Sequence, residues 1–81
     1  MVGAAKILDA VKRNPSGIRF TDLVKLVEAA GFTFRRQAGS HRIYSRPGCP
    51  NINIQPAKAG KAKPYQVRQV LAIIDDYDLE V

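Results

Sequence analysis

At 81 residues, 46% of them hydrophobic, the chain has material for one small core and one domain, 1–81. A single cysteine, Cys49, excludes an intrachain disulfide, and with a single histidine it falls short of the ligands a structural zinc site needs. The net charge of +6 is segregated: no Asp or Glu occurs from Ala29 to Ile74, a span holding Arg35, Arg36, Arg42, Arg46, Lys58, Lys61, Lys63 and Arg68.

Ala4 to Arg13 reads as a short helix, with Ile7, Leu8 and Val11 on one side and Lys6, Asp9 and Lys12 on the other. The turn cluster Asn14-Pro15-Ser16-Gly17 ends it, so it is expected as an added N-terminal helix packing on the main domain. Thr21 to Ala30 reads as a second helix. Thr21 is a capping residue, Asp22 suits the positive end of the dipole, and Leu23, Leu26, Val27 and Ala30 form the apolar stripe. Gly31 should stop that helix in the left-handed conformation.

Phe32-Thr33-Phe34-Arg35 alternates apolar and polar residues, as a half-buried strand does. Gly39-Ser40 makes a turn, His41 to Arg46 a second strand, Pro47 to Pro50 a second turn, and Asn51 to Gln55 a third strand. Short connections make the three strands an antiparallel meander. Pro56 to Lys63 is a basic loop kept open by small residues. Pro64 then starts a last helix with Val67, Val70, Leu71 and Ile74 on its stripe, running to about Tyr77. Leu79 and Val81 form a tail that can dock. Apolar helical stripes and one apolar sheet face need each other, which predicts an α+β two-layer sandwich. The other sheet face is left to water or to a partner.

The stretch of chemical interest is Arg35-Arg36-Gln37-Ala38-Gly39-Ser40-His41-Arg42-Ile43-Tyr44. Histidine both takes and gives a proton near neutral pH, and guanidinium groups bind phosphate in fixed geometry. A region of one sign attracts polyanions, nucleic acid first among them. RNA carries its own nucleophile, the 2′-hydroxyl, so one histidine can supply one proton transfer in its cleavage. His41 is the candidate catalytic residue. Arg36, Arg42, Lys58, Lys61 and Lys63 are candidate phosphate contacts, Gly39 permits close backbone approach, and Ser40 adds a donor. The plainer reading makes His41 a half-exposed strand histidine satisfied by backbone or water, and the arginines a solvated face. Tyr44 reads as core or as a base-stacking ring; Asp75, Asp76 and Asp78 read as solvated surface. The face that carries His41 depends on register: if Ile43 faces the core, His41 shares its face but lies at the strand's end, where the turn can redirect it; if Tyr44 points inward, His41 points to the open side.

Phe20 to Leu26, Gly31-Phe32, Gln37-x-Gly39-Ser40-His41 with Tyr44, and a third strand followed by a lysine-rich loop and helix together resemble the HicA toxins. These are the small RNase components of HicA–HicB toxin–antitoxin pairs. The resemblance covers roughly Arg19 to Leu79. It implies a fold similar to double-stranded-RNA-binding domains: helix, three antiparallel strands, helix. It also implies mRNA cleavage without a metal or other cofactor, the Gly-Ser-His histidine being catalytic, and a HicB-like antitoxin that covers the site. Common family members have a second histidine shortly after the third strand, where this chain has Ala57 or Lys58. Two further readings stand beside the nuclease: a non-catalytic RNA-binding module of the same fold, and an interaction domain for an acidic protein. The start of the chain lacks the features of a signal peptide, and no apolar run reaches the roughly 20 residues of a membrane span. A cytoplasmic protein without membrane contact is expected.

Overall fold

The structure, a computed structural model, describes residues 3–81. The first helix, α1, spans Ala4–Arg13, as its apolar spacing predicts. Ile7 and Val11 from this helix join the same apolar cluster as the second helix, so α1 helps to form the core rather than merely leaning on it. The second helix, α2, spans Phe20–Ala29 and begins one residue before the expected start. Thr21 therefore lies inside the first turn and caps nothing. Arg19 holds the cap position with no side-chain bond, its carbonyl accepting from the amides of Asp22 and Leu23, both at 3.1 Å. The physical reason is Phe20, whose ring is buried and which draws its own backbone into the helix.

Gly31 ends α2 with φ +92, in the left-handed region expected for it. Space is a second constraint there. A β-carbon on Gly31 would sit 2.9 Å from Nη1 of Arg46, the guanidinium that donates to the carbonyl of Ala30 at the helix end. A cation is favoured at that end, where carbonyls lack intrahelical partners.

Three antiparallel strands follow in the order β1 (Thr33–Ala38), β2 (His41–Ser45) and β3 (Ile52–Ile54). The last helix, α3, spans Pro64–Asp76, with Pro64 in its first turn as expected. Leu23, Leu26 and Val27 of α2, Val67, Val70 and Ile74 of α3, and Tyr44, Ile52 and Ile54 of the sheet form one cluster with α1. Leu79 and Val81 of the tail pack against it. This is a two-layer α+β architecture, with helices on one side of the sheet.

The first strand differs from expectation. All six residues of β1 are exposed, Phe34 to 47%, so it is not half-buried. It is one of the two edge strands of the sheet. Phe34 meets Tyr44 edge-on, with ring centres 5.6 Å apart. A bulge between Phe34 and Arg36 shifts the register by one residue.

One buried polar side chain stands out. Gln66 on α3 is 4% exposed and accepts from the backbone amide of Gln55 at 2.9 Å, tying the helix to the end of β3. Gln66→Ala is expected to destabilise the domain by about 1–3 kcal/mol, the cost of leaving a shielded amide without its acceptor. Urea denaturation measures this, and a change in the midpoint too small to resolve would show that water replaces the side chain.

Candidate functional site

The site is built on the turn that joins β1 to β2. Gly39 has φ +60 at the first turn position and Ser40 has no positive φ, the pattern of a type II′ hairpin. Gln37 braces this turn: its Nε2 donates to the carbonyl of Gly39 at 2.9 Å. His41 is the first residue beyond it.

Burial decides which way the histidine faces. Tyr44, Ile52 and Ile54 are buried against the helices, and Tyr44 pairs with Ile52 while Arg42 pairs with Ile54. Alternation along β2 then sends His41 and Ile43 to the opposite, open side, together with Asn53 of β3. The open register question is thereby answered: Tyr44 points in and His41 points out. Tyr44, 2% exposed, is core and offers no ring to a base. The His41 ring is exposed, with Nδ1 3.0 Å from Oδ1 of Asn53, its diagonal neighbour across the β2–β3 pair. Arg36 pairs with Ile43 and so shares this face.

The remaining candidates are placed differently. Arg42 lies on the helix side, its guanidinium 5.2 Å from the ring centre of Phe20, a cation–π contact that fixes the start of α2. The basic loop is bridged near its ends, with residues 58–61 exposed. Pro56 bridges to Ala62 and Arg19 to Lys61, with the Ala57 amide donating to the Lys61 carbonyl and the Ala62 amide to the Ile18 carbonyl, both at 2.7 Å. Nζ of Lys61 donates to the Gly17 carbonyl at 3.3 Å, so this lysine also helps seat the loop. Lys58 is exposed on a short 3₁₀ turn, Lys58–Gly60, and Lys63 is the half-buried residue before α3. Because β3 runs antiparallel to β2, this loop leaves the sheet at the end where the Gly39-Ser40 turn lies. Arg19, Arg42, Lys58, Lys61 and Lys63 therefore gather near one end of the sheet. Arg36 is on the face of His41, and Arg42 on the other.

A surface cavity of about 450 Å³ lies elsewhere. Leu8, Lys12, Leu71, Asp75, Asp78 and Leu79 are among its lining, and no residue expected at the site is. Among the described residues no three His, Cys, Asp or Glu side chains come together as a metal site. No helix among them is long and apolar enough to cross a membrane.

Residues 20–75 match the family described as HicA toxin of bacterial toxin-antitoxin. The chain belongs to the HicA toxin family. The match runs from the first residue of α2 to the last turn of α3, so it takes in the whole sheet and leaves α1 outside. Nothing among curated proteins or solved structures matches the chain. Membership in the HicA family makes the protein the toxin of a toxin–antitoxin pair and implies an antitoxin partner. The order helix, three antiparallel strands, helix that the resemblance implies for HicA toxins is the order found from α2 to α3.

Sequence reasoning missed Asn53 as the neighbour of the candidate histidine. The signal was present in Asn51-Ile52-Asn53-Ile54-Gln55: buried isoleucines at alternate positions oblige Asn53 to face the polar side. Only the pairing register says that it meets His41.

Proposed function

We propose that this HicA-family toxin binds mRNA and cuts it without a metal, His41 acting as general acid or base, and that its antitoxin silences it by covering that face. The observation that carries the reading is the exposed imidazole at the end of the tight Gly39-Ser40 turn, on the open face of a sheet whose neighbouring segments are basic. A phosphate set against Gly39 and Ser40 would meet backbone donors and Arg36, while Lys58 and Lys63 draw the strand in from the sheet end. In this reading Arg42 and Lys61 add to the local field more than they touch the scissile phosphate, since each is engaged within the fold.

One observation favours a second reading, a non-catalytic RNA-binding module: the chain has a single histidine, with Ala57 or Lys58 where common HicA toxins carry another. Purified protein incubated with single-stranded mRNA in the presence of EDTA separates the two. Cleavage is expected, together with an affinity that falls with salt at a slope of about −0.7 per phosphate neutralised. Salt-sensitive binding without any cleavage would leave the second reading standing. Absence of RNA affinity even at low salt would leave only an interaction domain for an acidic protein.

A further inference from the structure

Resting on His41 as the catalytic group, we infer that Asn53 is its positioning residue. Its side-chain oxygen holds the proton on Nδ1 of His41 and so leaves Nε2 as the reacting nitrogen, a base in the neutral ring. A carbonyl oxygen can only accept, and a neutral imidazole carries one proton on one of two nitrogens. The 3.0 Å contact from Nδ1 to Oδ1 of Asn53 is a hydrogen bond in the tautomer that carries its proton on Nδ1, and it favours that form. Asn53 is suited to the task because its own backbone is anchored. It pairs with Ile43 of β2, and its neighbours Ile52 and Ile54 are both buried. His41, by contrast, is exposed at the first position of its strand, where an unpartnered ring would turn freely.

The chemistry of the partner matters as much as its position. A carboxylate in place of Asn53 would favour the charged imidazolium and so leave less of the ring in the neutral form that can take a proton at neutral pH. The amide orients the ring and adds no charge. From β1, Ala38 stands opposite His41 and Arg36 shares its face; from β3 the same side brings Asn53. No carboxylate occurs in any of the three strands.

In the reaction, Nε2 takes the proton of the 2′-hydroxyl while that oxygen bonds to phosphorus and the bond from phosphorus to the 5′-oxygen breaks. The departing oxygen takes a proton from the imidazolium or from water. The products are a 2′,3′-cyclic phosphate and a 5′-hydroxyl, and the ring returns to its starting state with no oxidant or reductant used.

The direct test is the tautomer, read by long-range proton–nitrogen NMR of the neutral ring in the free protein. Protonated Nδ1 and bare Nε2 are expected in the wild type, moving towards a mixture in Asn53→Ala. A wild-type proton on Nε2, or a tautomer indifferent to Asn53→Ala, overturns the assignment. Kinetics give a second readout. Asn53→Ala should lower kcat about three- to tenfold, the factor expected from one ordinary hydrogen bond, with KM little changed. Asn53→Asp should restore cleavage at higher pH, with the acidic limb of the pH–rate profile, where the base loses its proton, moved to higher pH. A loss in Asn53→Asp as deep as in Asn53→Ala, with no movement of the limb, would make Asn53 merely structural. Because the NMR arm needs no substrate, the expected tautomer in a protein that never cuts RNA would refute the nuclease reading and leave the contact to Asn53 established.

Discussion

His41→Ala is expected to lower RNA cleavage by about 10²–10⁴-fold, the usual contribution of one positioned proton-transfer group. RNA affinity should stay within a small factor of wild type, and the salt slope should be unchanged. The variant removes no fixed charge, and His41 is exposed and outside the core cluster; among the described residues its ring bonds to exposed Asn53. Folding should be untouched for the same reason. In cells the prediction becomes growth arrest and mRNA loss with the intact histidine, and neither with alanine. Undiminished cleavage by His41→Ala, in preparations free of contaminating nuclease, would remove the imidazole from the chemistry. A variant that neither cuts nor binds would mean that His41 serves recognition, and the proton transfer would need another group.

Tyr44→Ala should act in the opposite way, destroying the fold before any question of catalysis arises. The ring is 2% exposed, lies on the helix side of the central strand and meets Phe34 edge-on. Truncating a large buried aromatic costs about 3–5 kcal/mol. A chain of this size has roughly 4–12 kcal/mol of stability in all, at about 0.05–0.15 kcal/mol per residue. The variant should therefore be partly or wholly unfolded at 37 °C, with a midpoint lowered by more than about 10 °C where a transition is still visible. Tyr44→Phe keeps the packing and should stay close to wild type. Thermal denaturation followed by circular dichroism decides it, and an alanine variant melting within a few degrees of wild type would show that the core closes over the gap.

Helices and turns were legible in the sequence because their signals are local. The stripe Val67, Val70, Ile74 with Pro64 ahead of it needs only the periodicity of one helix, and Gly31 and Gly39 mark reversals that other residues resist. What was illegible depends on pairing across the chain. Phe34 alternates like a half-buried strand residue, yet all six residues of β1 are exposed while β3, the other edge, buries Ile52 and Ile54, and alternation alone does not say whether helices cover a strand. The face of His41 could not be read, because Ile43 and Tyr44 are both plausible core residues and only the contact of Tyr44 with the helices chooses between them. That Arg42 stands on the other face from His41, over the ring of Phe20, follows only from pairing, because adjacent strand residues point to opposite sides. The Gly and Ala content of the lysine loop leaves it exposed but does not foretell its bridges. Small residues also let a segment fold back on itself, as Ala59 does at φ +58.

The period of two along β2 has a genetic consequence. If His41 carries the toxicity, single missense changes disarm the protein by two separable routes. One, at position 41, yields an inert but intact molecule that still displays the surface its antitoxin would recognise and so keeps titrating it. The other, at position 44, delivers the chain to proteases and frees the antitoxin altogether. Three residues apart in sequence, these lesions would leave opposite amounts of uncommitted antitoxin in the cell.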